Sequence, residues 1–259
     1  MRRFDCHAHV YESCAAIAGA RYCPTSPAPL DAWLDNLKKH GFAGGVLVQV
    51  SFLGSDNSEL CAALARLDTT RFAGVGVVAL DVDDVELDRL VQSGIRGIRW
   101  NLVRGAPIPD VSTAVVQSLF QKLRNHNLHL EVHLEGPRLA PRLAELADQG
   151  VNVVIDHFGL PSEPTPAVDP LFKSVEALAD RTNLYVKLSA HYRTPFDLAV
   201  HSRAWLDLVS DKQVVWGSDW PHTQHESVTS YSETIDAVAP VGAVSDAASA
   251  AALYGVSAD

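Results

Sequence analysis

Gly44-Gly45-Val46-Leu47-Val48-Gln49-Val50-Ser51 opens as an apolar, branched run and ends among polar residues. Upstream of it Leu30, Trp33, Leu34 and Leu37 keep helical spacing, and Gly41 stands where that helix would stop. Glycine suits the left-handed residue just past a helix end, and a near-continuous run of branched side chains suits a strand covered on both faces. The same order of amphipathic segment, glycine and apolar run returns twice. Leu87, Leu90 and Val91 lead through Gly94 into Ile95-Arg96-Gly97-Ile98-Arg99-Trp100-Asn101. Leu139, Leu143 and Leu146 lead through Gly150 into Val151-Asn152-Val153-Val154-Ile155-Asp156-His157. Counted this way, strands begin near Arg3, Gly45, Ala73, Ile95, Leu128, Val151, Asn183 and Gln213. Each gap holds a helix, as parallel connections require. Eight strand–helix units in 259 residues predict an α/β chain folded as a single (β/α)8 TIM barrel over residues 1–259. An open doubly wound sheet would place a Gly-rich phosphate turn after the first strand, where this chain has His7-Ala8-His9.

Composition narrows the function. The chain is 47% hydrophobic and 20% charged, enough to bury a large core. No stretch approaches the ~20 uninterrupted apolar residues of a membrane span, and Met1–His7 has no apolar run for a leader. A net charge of −10 disfavours a nucleic-acid surface. Four cysteines with no C-x-x-C pair make neither a disulfide framework nor a zinc finger. The expectation is a cytoplasmic protein without membrane or nucleic-acid partners; a homo-oligomer is compatible with the sequence.

The predicted strand ends are polar where a barrel should be apolar. They carry His7 and His9, Gln49 and Ser51, Arg99 and Asn101, Glu131 and His133, His157, Lys187 and Ser189, and Asp219. Most fall two apart and so share a strand face, and strand C-terminal ends line the active site of such barrels. Burying isolated polar groups costs several kcal/mol unless they pair, so a set of this size points to a site. Glu131 and Lys187 read as partners holding the barrel from below the site. Arg99 either grips a substrate carboxylate or forms a barrel salt bridge with Glu131. Two histidines at i and i+2, as in His7-Ala8-His9, project side by side, suiting one cation or one developing oxyanion. In Trp216-Gly217-Ser218-Asp219-Trp220-Pro221-His222, Gly217 permits close approach inside the barrel. His40, His126 and His129 read as helix-end or packing residues, and His191, His201 and His225 as loop or surface residues. The stretches Tyr22–Pro27 and Pro161–Pro170 read as loops at the rim of the site.

Together, His7, His9, His157 and Asp219, with Ile155-Asp156-His157-Phe158-Gly159 and the Trp216–His222 segment, resemble the amidohydrolase superfamily. More narrowly they resemble its branch of 2-pyrone-4,6-dicarboxylate lactonases. Gly54-Ser55-Asp56-Asn57, Gly94–Asn101 and Leu253-Tyr254-Gly255 extend the likeness over nearly the whole chain. The resemblance implies a hydrolase opening the lactone of a small acidic metabolite. Asp219 would activate water, and His7, His9 and His157 would polarise the carbonyl. Candidate substrate-binding residues are Arg99, Arg193, Arg104, Tyr22, Ser51, Gln49, Asn101, His133 and His222. Arginine forks match carboxylates, and ester attack needs a base near water with donors around the oxyanion.

Two departures from that branch stand out. His133 replaces a tyrosine and Leu160 an arginine, which shifts the expected substrate from the pyrone itself towards a sugar-acid lactone or a substituted muconolactone. His133 also completes a possible ligand set, His7, His9, His133 and Asp219, for one zinc. The expected cofactor is therefore either none or one divalent metal. A zinc decarboxylase of the same superfamily, a lactone isomerase and a non-catalytic sugar-acid binding protein are the competing readings.

Overall fold

The computed structural model describes residues 3–238 and 247–257; residues 1–2, 239–246 and 258–259 of the expected domain lie outside the described residues. Eight strands follow one another in space as in sequence. They are β1 (Phe4–Ala8), β2 (Gly44–Val48), β3 (Phe72–Gly76), β4 (Ile95–Asn101), β5 (His129–His133), β6 (Val153–Ile155), β7 (Leu184–Ser189) and β8 (Val214–Gly217). Every neighbouring pair is parallel. Closure comes just beyond β8. His9 N–H donates to Trp220 O at 2.7 Å, Asp219 N–H donates to His7 O at 2.8 Å, and Ala8 bridges Trp220. The (β/α)8 barrel expected from the sequence is thus present, and its seam is the place where His7, His9 and Asp219 meet.

The helices form as the sequence pattern requires. Leu30–His40 buries Leu30, Trp33 and Leu37 and ends at Gly41 with φ 72°. Asp84–Gln92 buries Leu87 and Leu90, its Asp83 cap accepting from Glu86 N–H. These faces and the outward strand residues make the layer between helices and barrel. Inside the barrel a second cluster holds Phe4, Cys6, Val46, Val48, Ala73, Val75, Val154, Tyr185 and Val215, packed against the helix Ala247–Tyr254. Among the described residues no helix is long and apolar enough to cross a membrane.

One irregularity positions the site. Phe4 and Cys6 belong to the interior cluster, so simple alternation would send His7 and His9 outwards. The β1–β2 register shifts between Asp5 and Ala8, and beyond that bulge Ala8 joins the outer layer while His7 reaches the interior Lys187. A bulge re-aims side chains in this way. Asp5, fully buried, anchors the same segment from outside. It accepts from Trp33 Nε1 (2.9 Å), Ser218 N (2.8 Å), Ser218 Oγ (2.7 Å) and Tyr231 Oη (2.9 Å).

The close approach expected at Gly217 is also present. A Cβ there would lie 2.4 Å from His7 Cβ and 2.8 Å from His7 N. Gly217→Ala must therefore push β1 and β8 apart. It is expected to destabilise the protein by about 1–3 kcal/mol, measured as a lower urea midpoint at unchanged slope. An unchanged midpoint would mean that the seam yields without cost.

Candidate active site

Asp219 lies at the C-terminal end of the barrel, two residues past β8, with φ 56°. The left-handed region is one that aspartate tolerates better than most residues. Its two oxygens have different surroundings. Oδ2 accepts from Tyr192 Oη at 2.6 Å and from Arg193 Nη2 and Nε at 2.8 and 3.1 Å. Among the described residues Oδ1 is buried without a hydrogen-bond partner, and it faces His9 Nε2 at 3.4 Å, His7 Nε2 at 3.5 Å and His157 Nε2 at 4.0 Å. One oxygen is held and the other is presented.

The far nitrogens of these rings set their tautomers. His9 Nδ1–H donates to Val48 O at 2.7 Å, leaving the Nε2 lone pair inward. Lys187 Nζ donates to His7 Nδ1 at 3.2 Å, which places the ring proton on Nε2. Arg99 Nη2 donates to His157 Nε2 (3.3 Å) and to His133 Nδ1 (3.1 Å), and His157 Nδ1–H meets Ser189 Oγ at 2.7 Å. Burial, reinforced by Lys187, lowers the His7 pKa to about 4 against the pull of Asp156. Burial likewise drives His133 and His157 well below the ordinary imidazole range, although Asp219 raises His157. These three imidazoles are neutral at pH 7.

Three cations balance three carboxylates beneath and around them. Lys187 meets Glu131 at 2.7 Å, Arg99 meets Asp156 at 2.7 Å, and Arg193 meets Asp219 at 2.8 Å. Burial alone would raise each of these carboxyls. Lys187 outweighs it at Glu131 and, with Arg99, at Asp156; Arg193 is the largest influence outweighing it at Asp219. All three are carboxylates at neutral pH. Arg99 therefore pairs with Asp156, which replaces the salt bridge to Glu131 read from the sequence. Glu131 and Lys187 do support the barrel together, and Tyr254 Oη adds a hydrogen bond to Glu131 at 3.1 Å.

Above this layer a pocket is lined by His9, Tyr22, Ser51, Arg99, Asn101, Arg104, His133, His157, Arg193 and Asp219. Those are ten of the residues expected from the sequence. His7 lies beneath the pocket, fully buried. Gln49 is directed elsewhere, its amide donating to Gly54 O (3.2 Å) and Asp56 O (2.6 Å) and bracing the loop after β2. His222 is buried with its ring against Tyr192, ring centroids 5.8 Å apart, and does not line the pocket. Of the two expected rim loops, the first supplies Tyr22, while no residue of Pro161–Pro170 is among the lining residues. That second loop instead packs against the helix Ala199–Leu208. There His201, expected at the surface, is fully buried between Phe172 and Phe196, its Nε2–H donating to Glu163 O at 2.9 Å.

The residues that sequence reasoning missed are mostly in loops. Arg21 lines the pocket and donates to Asn101 Oδ1 (2.6 Å) and Val103 O (2.5 Å), tying the loop after β1 to the end of β4. Tyr192, Thr223 and Gln224 carry no strand-end signal. Asp156 was legible as part of a motif but not as the partner of Arg99. Four guanidinium groups, Arg21, Arg99, Arg104 and Arg193, thus face one small pocket in a protein of net charge −10. A larger cavity lies at the opposite end of the barrel, beside His129, Asn152 and Asn183, away from the strand ends where this fold places its chemistry.

His7, His157 and Asp219 form a group that could hold a metal ion, each offering one ligand atom within 4.8 Å of the others. The donors fit, because His7 Nε2 and Asp219 Oδ1 are both buried and unpartnered. To ligate through Nε2, His7 would carry its proton on Nδ1, towards Asp156 Oδ1 at 3.6 Å, and Lys187 Nζ would give up its hydrogen bond to Nδ1 while keeping Glu131 and Asp156. The quartet expected from the sequence is not assembled as such: His9 and His133 both lie outside the group, His133 turned onto Arg99 and His9 held by Val48 O, and His157 takes the third place. A second trio, His7, Glu131 and Asp156, has Lys187 Nζ against all three at 3.2, 2.7 and 3.4 Å. An ammonium already serves as the cation there.

A family model described as Amidohydrolase matches residues 4–257. The chain is 28% identical over 230 residues to a 4-sulfomuconolactone hydrolase of Rhizobium radiobacter, covering 85% of this chain and 76% of that relative. It is 28% identical over 217 residues to a 2-pyrone-4,6-dicarboxylate hydrolase of Comamonas testosteroni, covering 77% and 68%. The crystal structure of a probable 2-pyrone-4,6-dicarboxylic acid hydrolase from Acinetobacter baumannii, with citric acid bound, superimposes with a TM-score of 0.88. That protein is 31% identical, and the match covers 98% of this chain and 100% of that one.

Proposed function

Because the chain belongs to the amidohydrolase family, we propose that it opens a lactone bearing at least one carboxylate, with Asp219 as the base. It is a hydrolase acting on cyclic ester bonds, like the relatives it matches. The observation that carries the residue roles is the divided environment of Asp219: Oδ2 held by Tyr192 and Arg193, Oδ1 unpartnered at the pocket floor among three imidazoles. In the reaction a water gives its proton to Asp219 Oδ1 while its oxygen bonds the lactone carbonyl carbon. The carbonyl π electrons move onto the carbonyl oxygen, which takes a hydrogen bond from His133 Nε2–H beside the Arg99 guanidinium; of the donors expected from the sequence, His7 lies beneath the pocket, and His9 and His157 turn Nε2 lone pairs inward. Collapse of that oxyanion breaks the bond to the ring oxygen, and Asp219 returns the proton to the departing alkoxide. The product is a hydroxy acid. Preorganised donors of this kind act where charge develops and exclude reorganisation at the moment of reaction.

The arginines select the substrate. Arg104 and Arg21 at the rim and Arg193 deeper in suit a carboxylate carried on the ring, as in a sugar-acid lactone or a substituted muconolactone. Leu160 stands where the pyrone-dicarboxylate enzymes it resembles carry an arginine, which favours a substrate with fewer anionic groups than the pyrone. Zinc held by His7, His157 and Asp219 would supply a Lewis acid for the carbonyl and a more acidic water.

A panel of anionic γ- and δ-lactones, followed by proton release with and without chelator, tests this reading. Proton release from at least one carboxylated lactone is expected. Turnover is expected to persist in part after chelation, because base and oxyanion donors are protein groups. Any share lost and restored by zinc is then the contribution of an ion at His7, His157 and Asp219. Carbon dioxide release from aromatic acids with no lactone opened would replace the hydrolase with a decarboxylase. Interconversion of lactones without proton release would make it an isomerase. Binding without either would make it a sugar-acid carrier.

A further inference from the structure

Each of the four pocket arginines is already engaged, and the partners differ in kind. Arg99 is tied to Asp156, Arg21 to Asn101 and Val103 O, and Arg104 to Gln224 at 3.1 Å. Arg193 alone among them holds the carboxylate assigned as the base. Its side chain is 20% exposed and lines the pocket, whereas Asp219 is 1% exposed. One guanidinium therefore belongs both to the anion-binding wall and to the base. Tyr192 Oη completes the grip, so that three donors converge on Oδ2. Donors that stabilise a carboxylate weaken it as a proton acceptor by the same amount.

We propose that Arg193 is a substrate-operated clamp: the substrate's carboxylate takes the guanidinium from Asp219 Oδ2, and the base becomes competent only when that anion is bound. The proposal deepens the lactonase reading and rests on it. A carboxylate arriving in the pocket competes with Oδ2 for a planar fork that can serve only one partner bidentately in full. Binding energy from a group remote from the ester is thereby used to strengthen the base. A lactone without a carboxylate enters the same pocket but meets Asp219 with its clamp closed. Discrimination between the two then falls on kcat and not only on KM.

The test compares a carboxylated γ-lactone with the same ring lacking the carboxylate. In Arg193→Met the carboxylated lactone is expected to lose about 100-fold or more in kcat/KM, while kcat for the uncharged lactone rises about threefold or more. Opposite signs for the two substrates are the signature. A fall in both, or an unchanged rate on the uncharged ring, would leave Arg193 as a simple binding or structural residue and overturn the clamp. Tyr192→Phe removes one donor to Oδ2 without touching the pocket wall, and provides a second variant should Arg193→Met fold poorly. It too is expected to raise the uncharged rate, and a fall there would overturn the clamp.

Binding supplies a readout independent of turnover. Citrate, which contains no ester, is titrated calorimetrically into wild type, Asp219→Asn, Arg193→Met and the double variant. Asp219→Asn leaves Arg193 held only by a neutral amide oxygen in place of the ion pair, which is expected to tighten citrate about tenfold, and that gain is expected to vanish in the Arg193→Met background. An equal gain in both backgrounds would reflect only the removed negative charge and would overturn the proposal. If citrate shows the coupling while wild type opens no lactone, the lactonase reading fails and the shared arginine stands as a binding device.

Discussion

Asp219→Asn is expected to fold, to bind carboxylates, and to lose about three orders of magnitude in kcat. A general base contributes roughly 10²- to 10⁴-fold, and here the same group also returns the proton to the leaving oxygen, so both halves of the reaction suffer. The substitution is nearly isosteric. The amide oxygen can still accept from Tyr192 and Arg193 at Oδ2, which directs the amide NH₂ towards the imidazole nitrogens that Oδ1 now faces. His9 Nε2 presents a lone pair there, so the new donor finds an acceptor. The variant should therefore lose the proton acceptor and keep the shape. Stopped-flow or steady-state proton release on the best carboxylated lactone measures the loss, and far-UV circular dichroism checks the fold. Turnover within tenfold of wild type would remove Asp219 from the base role.

The stability of that variant carries its own pH signature. In the wild type the Asp219 carboxyl is held well below the ordinary range, because the Arg193 guanidinium outweighs the cost of burial. A group with a depressed folded pKa contributes stability above its unfolded value and loses it as pH falls through the folded one. The difference in urea stability between wild type and Asp219→Asn should therefore shrink as pH drops below about 4.

The parts of the molecule legible in the sequence were those governed by local periodicity. Leu30, Trp33 and Leu37 face inwards because three- and four-residue spacing decides a helix face, and Gly41 ends its helix at φ 72° because glycine permits that geometry, whereas Gly150, at φ 71°, turns the chain after a helix already capped at Asp148. The strand-end polar residues were legible because buried polarity needs a cause. What was not legible depended on tertiary geometry. Alternation along β1 predicts that Cys6 and His7 face opposite sides, and only the bulge between Asp5 and Ala8 lets both reach the interior. The choice of Asp156 over Glu131 as the partner of Arg99 depends on depth in the barrel: Arg99 and Glu131 are register partners on adjacent strands, but Lys187 occupies Glu131 first. Tyr192 and Arg21 sit on loops, where no period marks a residue as inward-facing. His201 shows the converse, a helix residue buried because a loop folded over it.

Lys187→Met is expected to be the most destabilising single change, about 3–5 kcal/mol at pH 7. Lys187 is fully buried and its ammonium lies 2.7 Å from Glu131 Oε1 and 3.4 Å from Asp156 Oδ1. Methionine fills the stem but leaves two carboxylates in the barrel with only Arg99 to neutralise them. Glu131 would retain Tyr254 Oη at 3.1 Å and His129 Nε2 at 3.4 Å, neither of which carries the compensating charge of an ammonium. The sign of the pH dependence separates this from a packing defect. In the wild type Lys187 holds Glu131 below its usual range against burial, so that carboxylate's stabilisation is present above its unfolded pKa and lost in acid. Without Lys187, burial outweighs the hydrogen bonds of Tyr254 and His129 and raises the same group, whose contribution is then greatest below its unfolded pKa and lost as pH rises. The gap between variant and wild type should thus narrow as pH falls from 7 towards 4, whereas a cavity or a clash would cost the same at both. Glu131→Gln added to Lys187→Met should restore most of the loss at pH 7, because it removes the unpaired charge and keeps an acceptor for Tyr254. A cost below about 1 kcal/mol for Lys187→Met, the range of an exposed pair, would mean that water reaches this layer, and the neutral, tautomer-fixed His7 above it would lose its physical basis.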